Sequence, residues 1–176
     1  MAFRERQPTN RRAAQRPVAR QVDIDVERAR RAEPERRNIL QQGAMVLGVI
    51  NLIVGIAGFL SPLVVGGDPG LINTSPGLLF GLFGINGLHA SVHLLVGIIG
   101  IVMARTATNA RAFLWGIGIV FALLALVDLM AGRSGMHALM GMTVNAADVW
   151  LHAVLAAAAF LVLYMGDRMR PTTTAA

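Results

Sequence analysis

Four long apolar runs divide the chain, and each is long enough to cross a lipid bilayer. They extend from Gly43 to Leu60, from Asn86 to Ala104, from Ala112 to Ala131 and from Ala146 to Met165. A crossing needs about 20 residues of helix at roughly 1.5 Å per residue. Because unpaired backbone amides are very costly in lipid, we expect every run to be helical. The pattern predicts an all-α polytopic membrane protein with four transmembrane helices in a bundle.

A polar motif occurs in the second run and again in the fourth. The two copies, 59 residues apart, are Asn86-Gly-Leu-His89-Ala-Ser-Val-His93 and Asn145-Ala-Ala-Asp148-Val-Trp-Leu-His152. Spacings of three and four residues place the polar members of each copy on one helical face. Since both helices cross the membrane in the same direction, we infer two repeated helix pairs, related by a pseudo-two-fold axis along the membrane normal. His93 and His152 are then expected at equal depth.

We expect the polar side chains to form one layer in the outer half of the bundle. Its predicted members are Asn86, His89, His93, Asp128, Asn145, Asp148 and His152. Asn is a favoured N-cap residue, and Asn145 followed by Asp148 is similar to a capping box, so the two Asn are expected to begin their helices. The simplest hypothesis for the histidines is an interhelical hydrogen bond, from His93 to His152 or from either one to Asp128.

The paired histidines also allow two cofactor hypotheses. His93 and His152, facing each other at one depth, could bind a haem between the helices as axial ligands. Small residues beside them either leave room for such a group or let the helices pack closely; they are Gly97, Gly100, Ala156 and Ala159. The other hypothesis, ranked second, is a metal site formed by His89, His93, Asp148 and His152, a ligand set that suits zinc or non-haem iron. The identity of any cofactor stays open.

Composition agrees with a membrane location and narrows the chemistry. The chain is 55% hydrophobic and 15% charged and contains 19 glycines, which is not the composition of a water-soluble domain. It has no cysteine, which excludes disulfides, thiolate ligands and a cysteine nucleophile. Within the predicted spans, only the polar layer could supply a nucleophile or an acid–base pair. We therefore favour a non-enzymatic membrane protein with a structural or partner-binding role over a haem- or metal-binding redox protein.

Arginine is concentrated near the start of the chain. Eleven of the sixteen basic residues lie between Arg4 and Arg37, together with six of the ten acids. The arginines that flank the predicted spans on the same side are Arg105, Arg111, Arg168 and Arg170. Only Arg133 flanks the other side, so the positive-inside rule predicts that both termini are cytoplasmic. We divide the chain into an Arg-rich cytoplasmic tail (1–42), a four-helix transmembrane domain (43–166) and a short cytoplasmic tail (167–176).

The expected partners follow from this distribution of charge. The main one is the lipid bilayer, and the Arg-rich tail, predicted to be disordered or loosely helical, is expected to bind anionic lipid headgroups at about 1 kcal/mol per arginine. Nucleic-acid binding is disfavoured, because no aromatic residue beyond Phe3 lies among these arginines. A membrane-protein partner or a homo-oligomer stays open.

The first outer loop, from Ser61 to Ile85, is long and rich in Gly and Pro. It becomes apolar again over Leu78 to Phe83. This stretch either extends the second span outward or lies along the membrane interface, and the sequence does not decide between the two.

Several segments of the second and fourth runs resemble a known family. They are Leu79-Phe80-Gly81-Leu82-Phe83-Gly84-Ile85-Asn86, His89, Val92-His93-Leu94, Gly97-Ile98-Ile99-Gly100, Asp148 and Leu151-His152. The chain is similar, over roughly Gln42 to Gly166, to a bacterial family of four-span membrane proteins, the domain of unknown function 4383. The resemblance implies a four-span architecture in the bacterial cell membrane. It implies no activity, cofactor or partner.

Overall fold

The structure, a computed structural model, describes residues 38–68, 70–130 and 135–169. Its four α-helices are α1 (Ile39–Ala57), α2 (Gly87–Met103), α3 (Ala107–Met130) and α4 (Ala146–Arg168). Three of them, α1, α3 and α4, are long and apolar enough to cross a membrane, and α2 is a shorter apolar helix of 17 residues. The predictions for the Arg-rich tail before residue 38, for Arg133 and for Arg170 lie outside the described residues.

Helices α1 and α3 begin before the apolar runs predicted for them. Helix α1 starts four residues before the predicted Gly43, because Asn38 and Gln41 form a capping box: each side chain bonds the backbone of the other. Helix α3 starts at Ala107, where the Thr106 hydroxyl accepts a hydrogen bond from the amide of Asn109 at 3.3 Å. Hydropathy therefore indicated the lipid-compatible part of α1 and α3 and missed the first turn of each.

Apolar side chains face outward on all four helices. The most exposed large ones include Ile53, Leu95, Leu129, Trp150 and Val154. By contrast, the buried polar residues include two Asn, two Asp and three His. A water-soluble protein shows the reverse distribution, because an exposed apolar surface of this size costs free energy in water. The outer surface of the helices is therefore suited to a lipid environment.

Glycines bring α1 and α2 into backbone contact. A Cβ atom added to Gly97 would lie 2.4 Å from the amide nitrogen of Leu52, and one added to Gly55 would lie 2.5 Å from that of Leu94. Gly100 is equally tight, since its added Cβ would lie 2.6 Å from the ring of Phe113. Small residues allow this close approach, which is a common source of attraction between helices in membranes. Gly97 and Gly100 thus serve helix packing and do not open a space beside His93.

The prediction of an all-α protein was wrong in one respect, because five short strands precede the second and fourth helices. They are β1 (Val64–Gly66), β2 (Gly77–Leu79), β3 (Phe83–Ile85), β4 (His137–Leu139) and β5 (Met142–Val144). Strands β1, β2 and β3 form an antiparallel sheet in that order, and β4 pairs with β5. The stretch from Leu78 to Phe83 therefore does not extend helix α2, because it forms the turn and flanks of a β-hairpin.

Each of the two tight turns begins with two successive residues of positive φ. Phe80 and Gly81 have φ of 54° and 70°, and Met140 and Gly141 have φ of 50° and 81°. Hairpin turns favour these left-handed conformations because their twist matches that of the paired strands. The second residue of each pair is glycine, which adopts positive φ without strain. We call the end of the helices that carries both hairpins the hairpin end.

The opposite end of the helices holds polar contacts between neighbouring segments. The Gln41 side chain donates a hydrogen bond to the carbonyl of Arg105 at 2.9 Å, which joins the start of α1 to the end of α2. Arg111 forms an ion pair with Asp167, which joins α3 to α4. Between the two ends, α1 packs mainly on α2 and α3 mainly on α4. The predicted polar layer lies near the hairpin end, where α2 and α4 begin.

Candidate functional site: a polar layer and a histidine cluster

Asn86 and Asn145 begin α2 and α4, as predicted from their sequence context. The Asn86 side-chain oxygen accepts a hydrogen bond from the amide of His89 at 2.8 Å. Asn145 accepts from the amides of Ala147 and Asp148, and the Asp148 carboxylate accepts in return from the Asn145 amide at 2.8 Å. Both Asn are therefore N-caps, and the second belongs to a complete capping box.

The same two asparagines also bind the hairpin of the other half. The Asn86 side-chain amide donates to the carbonyl of Gly141 at 2.8 Å, and that of Asn145 donates to the carbonyl of Leu82 at 2.8 Å. Gly141 follows Leu82 by 59 residues, the same separation as that between the two Asn. The two bonds therefore join equivalent positions of the two copies of the motif. The repeated unit includes the hairpin as well as the helix that follows it.

A second reciprocal pair involves His89 and Asp148, which occupy equivalent positions in the two copies. The His89 Nδ1 atom lies 2.8 Å from the carbonyl oxygen of Thr143 in β5. The Asp148 carboxylate accepts a hydrogen bond from the amide of Gly84 in β3 at 2.8 Å. Gly84 and Thr143 are again 59 residues apart. One position thus binds a carbonyl and its equivalent binds an amide, which explains why the side chains differ between the copies.

Three histidines meet below these bonds. They are His89, His93 and His152, each at most 5% exposed. Each offers one ring nitrogen such that the three atoms lie within 4.8 Å of one another. The Nε2 atoms of His89 and His93 are 3.1 Å apart. The ring of His152 lies with its centroid 6.2 Å from that of His93, so the predicted meeting of the second and fourth helices at this depth is observed.

The backbone and a buried amide fix which nitrogen of His89 and of His93 carries hydrogen. Thr143 presents a carbonyl oxygen to Nδ1 of His89, and a carbonyl can only accept, so this nitrogen must be the N–H donor. Asn51 donates through its amide nitrogen to the carbonyl of Leu47 at 2.8 Å, which leaves its oxygen facing Nδ1 of His93 at 2.9 Å. Nδ1 of His93 is therefore also a donor. In the neutral rings, both Nε2 atoms carry lone pairs.

His152 is held by an aromatic contact. Its ring stacks on Phe121 of α3, with centroids 5.0 Å apart and planes 15° apart. Its Nδ1 atom is buried and has no hydrogen-bond partner among residues 38–68, 70–130 and 135–169. Nδ1 of His93 bonds Asn51 and its Nε2 atom faces Nε2 of His89, so the interhelical hydrogen bond from His93 to His152 is not formed. Ring packing, rather than a hydrogen bond, positions His152.

Asp128 belongs to the layer, as predicted, but its partner is a residue that the sequence did not single out. Its Oδ1 atom lies 2.9 Å from Nε2 of His137 at the start of β4. Its Oδ2 atom is buried without a hydrogen-bond partner within the described part of the chain. The Nδ1 atom of His137 bonds the carbonyl of Gly135 at 2.9 Å. The only sequence signal for His137 was its place nine residues after Asp128.

The predicted site residues thus divide into three groups by contact. His89, His93 and His152 form the cluster, to which Asn51 is added as the partner of His93. Asn86, Asn145 and Asp148 bind helix starts and hairpins. Asp128 pairs with His137. Asp148, predicted as a fourth metal ligand, has one carboxylate oxygen bound to two backbone amides, those of Gly84 and Asn145.

The sequence model of a domain of unknown function, DUF4383, matches residues 41–165. The match covers most of the chain, so the chain belongs to this family, as the segments of the second and fourth runs predicted. Comparison with curated proteins and with solved structures found no match.

Proposed function

We propose that this DUF4383 protein is a four-span integral membrane protein of the bacterial cytoplasmic membrane, with both ends of its helical domain in the cytoplasm. Helix α2 measures about 25 Å at 1.5 Å per residue, close to the hydrocarbon thickness, and its exposed large side chains are apolar. Arg105, Arg111 and Arg168 belong to the end opposite the hairpins, which supports a cytoplasmic location for that end.

Within the membrane we propose a non-enzymatic, structural role, in which the polar layer joins the two repeats into one rigid unit. The observation that carries this proposal is the reciprocal pair of bonds from Asn86 to Gly141 and from Asn145 to Leu82. Polar side chains of the kinds that can take part in catalysis here form hydrogen bonds to backbone groups of the opposite half. Buried polar groups satisfied in this way specify one arrangement of the helices.

The hairpin turns are the surface proposed for partner binding. Phe80, Leu82 and Met140 are 63%, 55% and 74% exposed at the tips of the two turns. Exposed apolar side chains grouped on one end of a protein are typical of a contact with another protein or with the membrane interface. The cross-bonds from Asn86 and Asn145 hold these tips in fixed positions, which suits a preformed contact surface.

Labelling of single cysteines tests the topology, because the chain contains no cysteine of its own. We expect a membrane-impermeant maleimide to label Ser61→Cys and Gly135→Cys in intact cells, and to label Thr106→Cys only after lysis. If α2 does not cross the membrane, Thr106→Cys will be labelled in intact cells and Gly135→Cys will not. That pattern would contradict the four-span proposal.

Hydrogen exchange tests the structural role. The Asn145→Ala variant loses the donor to the Leu82 carbonyl, so we expect faster amide exchange in β2 and β3, although these strands are distant in sequence. Asn109→Ala, a change at an exposed residue of α3 at the opposite end, is the matched control and should leave this exchange unchanged. Unchanged protection of β2 and β3 in Asn145→Ala would mean that the layer does not couple the halves.

A haem-binding redox protein is the second candidate function. It is supported by the nearly parallel rings of His93 and His152, whose planes differ by 23°. A porphyrin between them would have to displace His89, whose Nε2 lies against that of His93, and Phe121, which stacks on His152. A visible spectrum of the purified protein, oxidised and then reduced, tests this candidate. A Soret band that shifts on reduction and disappears in His152→Gln would establish it.

A further inference from the structure

We propose that His89, His93 and His152 bind a single transition-metal ion of the zinc type, which bridges the two repeats through ring nitrogens. This goes beyond the structural role of the polar layer, since it assigns a ligand to the cluster beneath it. The argument rests on a conflict between two lone pairs, on the geometry of the three nitrogens and on the groups that orient the rings.

The conflict arises because the Nε2 atoms of His89 and His93 face each other at 3.1 Å. The Thr143 carbonyl and the Asn51 side-chain oxygen require hydrogen on both Nδ1 atoms, so neither neutral ring has hydrogen left for Nε2. Two lone pairs at this distance repel each other. A cation between them removes the repulsion, either as a proton shared by the two rings or as a metal ion.

A metal ion explains more features of the three-histidine cluster than a proton shared by two of its rings does. Zinc bound to histidine has Zn–N distances of 2.0–2.1 Å, which places tetrahedral ligand atoms about 3.3 Å apart. The His89–His93 separation is close to this value, and a nitrogen of His152 lies within 4.8 Å of both. A shift of about 1.5 Å by the His152 ring would complete a three-nitrogen set. A proton shared by His89 and His93 leaves no role for the unpartnered Nδ1 of buried His152.

The surroundings of the rings are those of metal-binding histidines. Such residues donate their second N–H to a carbonyl or another oxygen, which fixes the tautomer and the ring orientation. His89 does so to Thr143, and His93 does so to Asn51, which is itself held by the Leu47 carbonyl. His89 and His93 belong to the first repeat and His152 to the second, so the ion would join the same halves as the asparagine bonds.

The first measurement uses the full chain, purified in mild detergent through a tag without histidine. After loading with Zn²⁺ and removal of the excess, elemental analysis is expected to give about one zinc per chain. Co²⁺ serves as a spectroscopic probe, since a tetrahedral site gives intense visible absorption that Zn²⁺ should abolish by competition. Folded protein that binds neither ion, judged by its helical circular dichroism, would overturn the proposal and leave the proton-sharing pair.

Matched variants then locate the ion. We expect His89→Gln, His93→Gln and His152→Gln each to lower Zn²⁺ affinity by at least about 100-fold, the upper end of the loss seen when only an outer-shell partner is removed. His137→Gln is the control, because His137 is a partly buried histidine near the same layer that pairs with Asp128 instead. Asn51→Ala keeps all three ligands and removes only the partner of His93, and a loss of about ten- to a hundredfold is expected there.

Three results would contradict the assignment. Zinc binding that survives in all three cluster variants would place the ion elsewhere, and binding lost only in His137→Gln would place it at Asp128. A Soret band dependent on His152 would mean haem rather than an ion. None of these results bears on the exchange of β2 and β3 in Asn145→Ala, so the structural role and the metal site can fail separately.

Discussion

Asn86 and Asn145 each begin a helix of their own half and donate a side-chain hydrogen bond to the turn of the opposite half. The acceptors, the carbonyls of Gly141 and Leu82, are at equivalent positions in the two repeats. A single residue type therefore performs two tasks at once, capping and cross-linking. The capping task is local in sequence, and the cross-linking task joins residues 55 and 63 positions apart.

The double task of Asn86 predicts a larger loss on truncation than capping alone would give. We expect Asn86→Ala to lower the free energy of unfolding by about 2–3 kcal/mol, about 1 from the cap and the rest from the bond to Gly141. Asn38→Ala is the matched control, because Asn38 caps α1 and has no distant partner within the described part of the chain, and it should cost about 1 kcal/mol. Unfolding in detergent, followed by circular dichroism, measures both. Equal losses would mean that the cross-bond contributes nothing.

Asp148 is predicted to be the carboxylate on which stability depends most. Asp148→Ala removes the acceptor of two backbone amides, those of Gly84 and Asn145, and should lower the free energy of unfolding by about 3 kcal/mol. Asp167→Ala breaks an exposed ion pair with Arg111 and should cost at most about 1 kcal/mol. The same unfolding measurement compares them. If the two losses are similar, the hydrogen bonds that Asp148 accepts contribute no more to stability than the exposed ion pair does.

Backbone contact between α1 and α2 predicts a large effect of one methyl group. Gly97→Ala would place Cβ 2.4 Å from the Leu52 amide nitrogen, so the helices must separate, and we expect a loss of about 1–3 kcal/mol. Gly116→Ala adds the same methyl to α3, where no described atom lies within 4 Å of it. That control should be neutral or stabilising by about 0.5–1 kcal/mol. A tolerated Gly97→Ala would show that the helices are not in close contact.

The second hairpin turn predicts a stabilising substitution. Met140 has φ of 50°, which strains a side chain without a local hydrogen bond, and Asn followed by Gly is favoured in such turns. Met140→Asn should therefore raise the free energy of unfolding by about 0.5 kcal/mol in detergent. If Met140 instead binds a partner in the membrane, the same variant will be stable in detergent and will lose that partner in cells. A destabilised variant would contradict the turn assignment.

Hydropathy and local spacing were sufficient for several features of the fold. The four helices, their caps at Asn86 and Asn145, and the depth at which His93 and His152 meet followed from period and repeat. These features depend on interactions within about four residues, or on the requirement that backbone groups be paired in lipid. The hairpins were missed because each strand is three residues long, and because the last strand of each hairpin, β3 or β5, is separated from the next helix by only one residue.

By itself, the sequence determined which segments are helical, where two of them begin and which polar residues lie at one level. Only the tertiary structure decided the partners: Asn51 for His93, Thr143 for His89, His137 for Asp128, and two amides for Asp148. The reason is physical. Helix formation and capping are set by near neighbours along the chain, whereas a buried nitrogen or oxygen binds whichever group the packing of distant segments brings within about 3 Å.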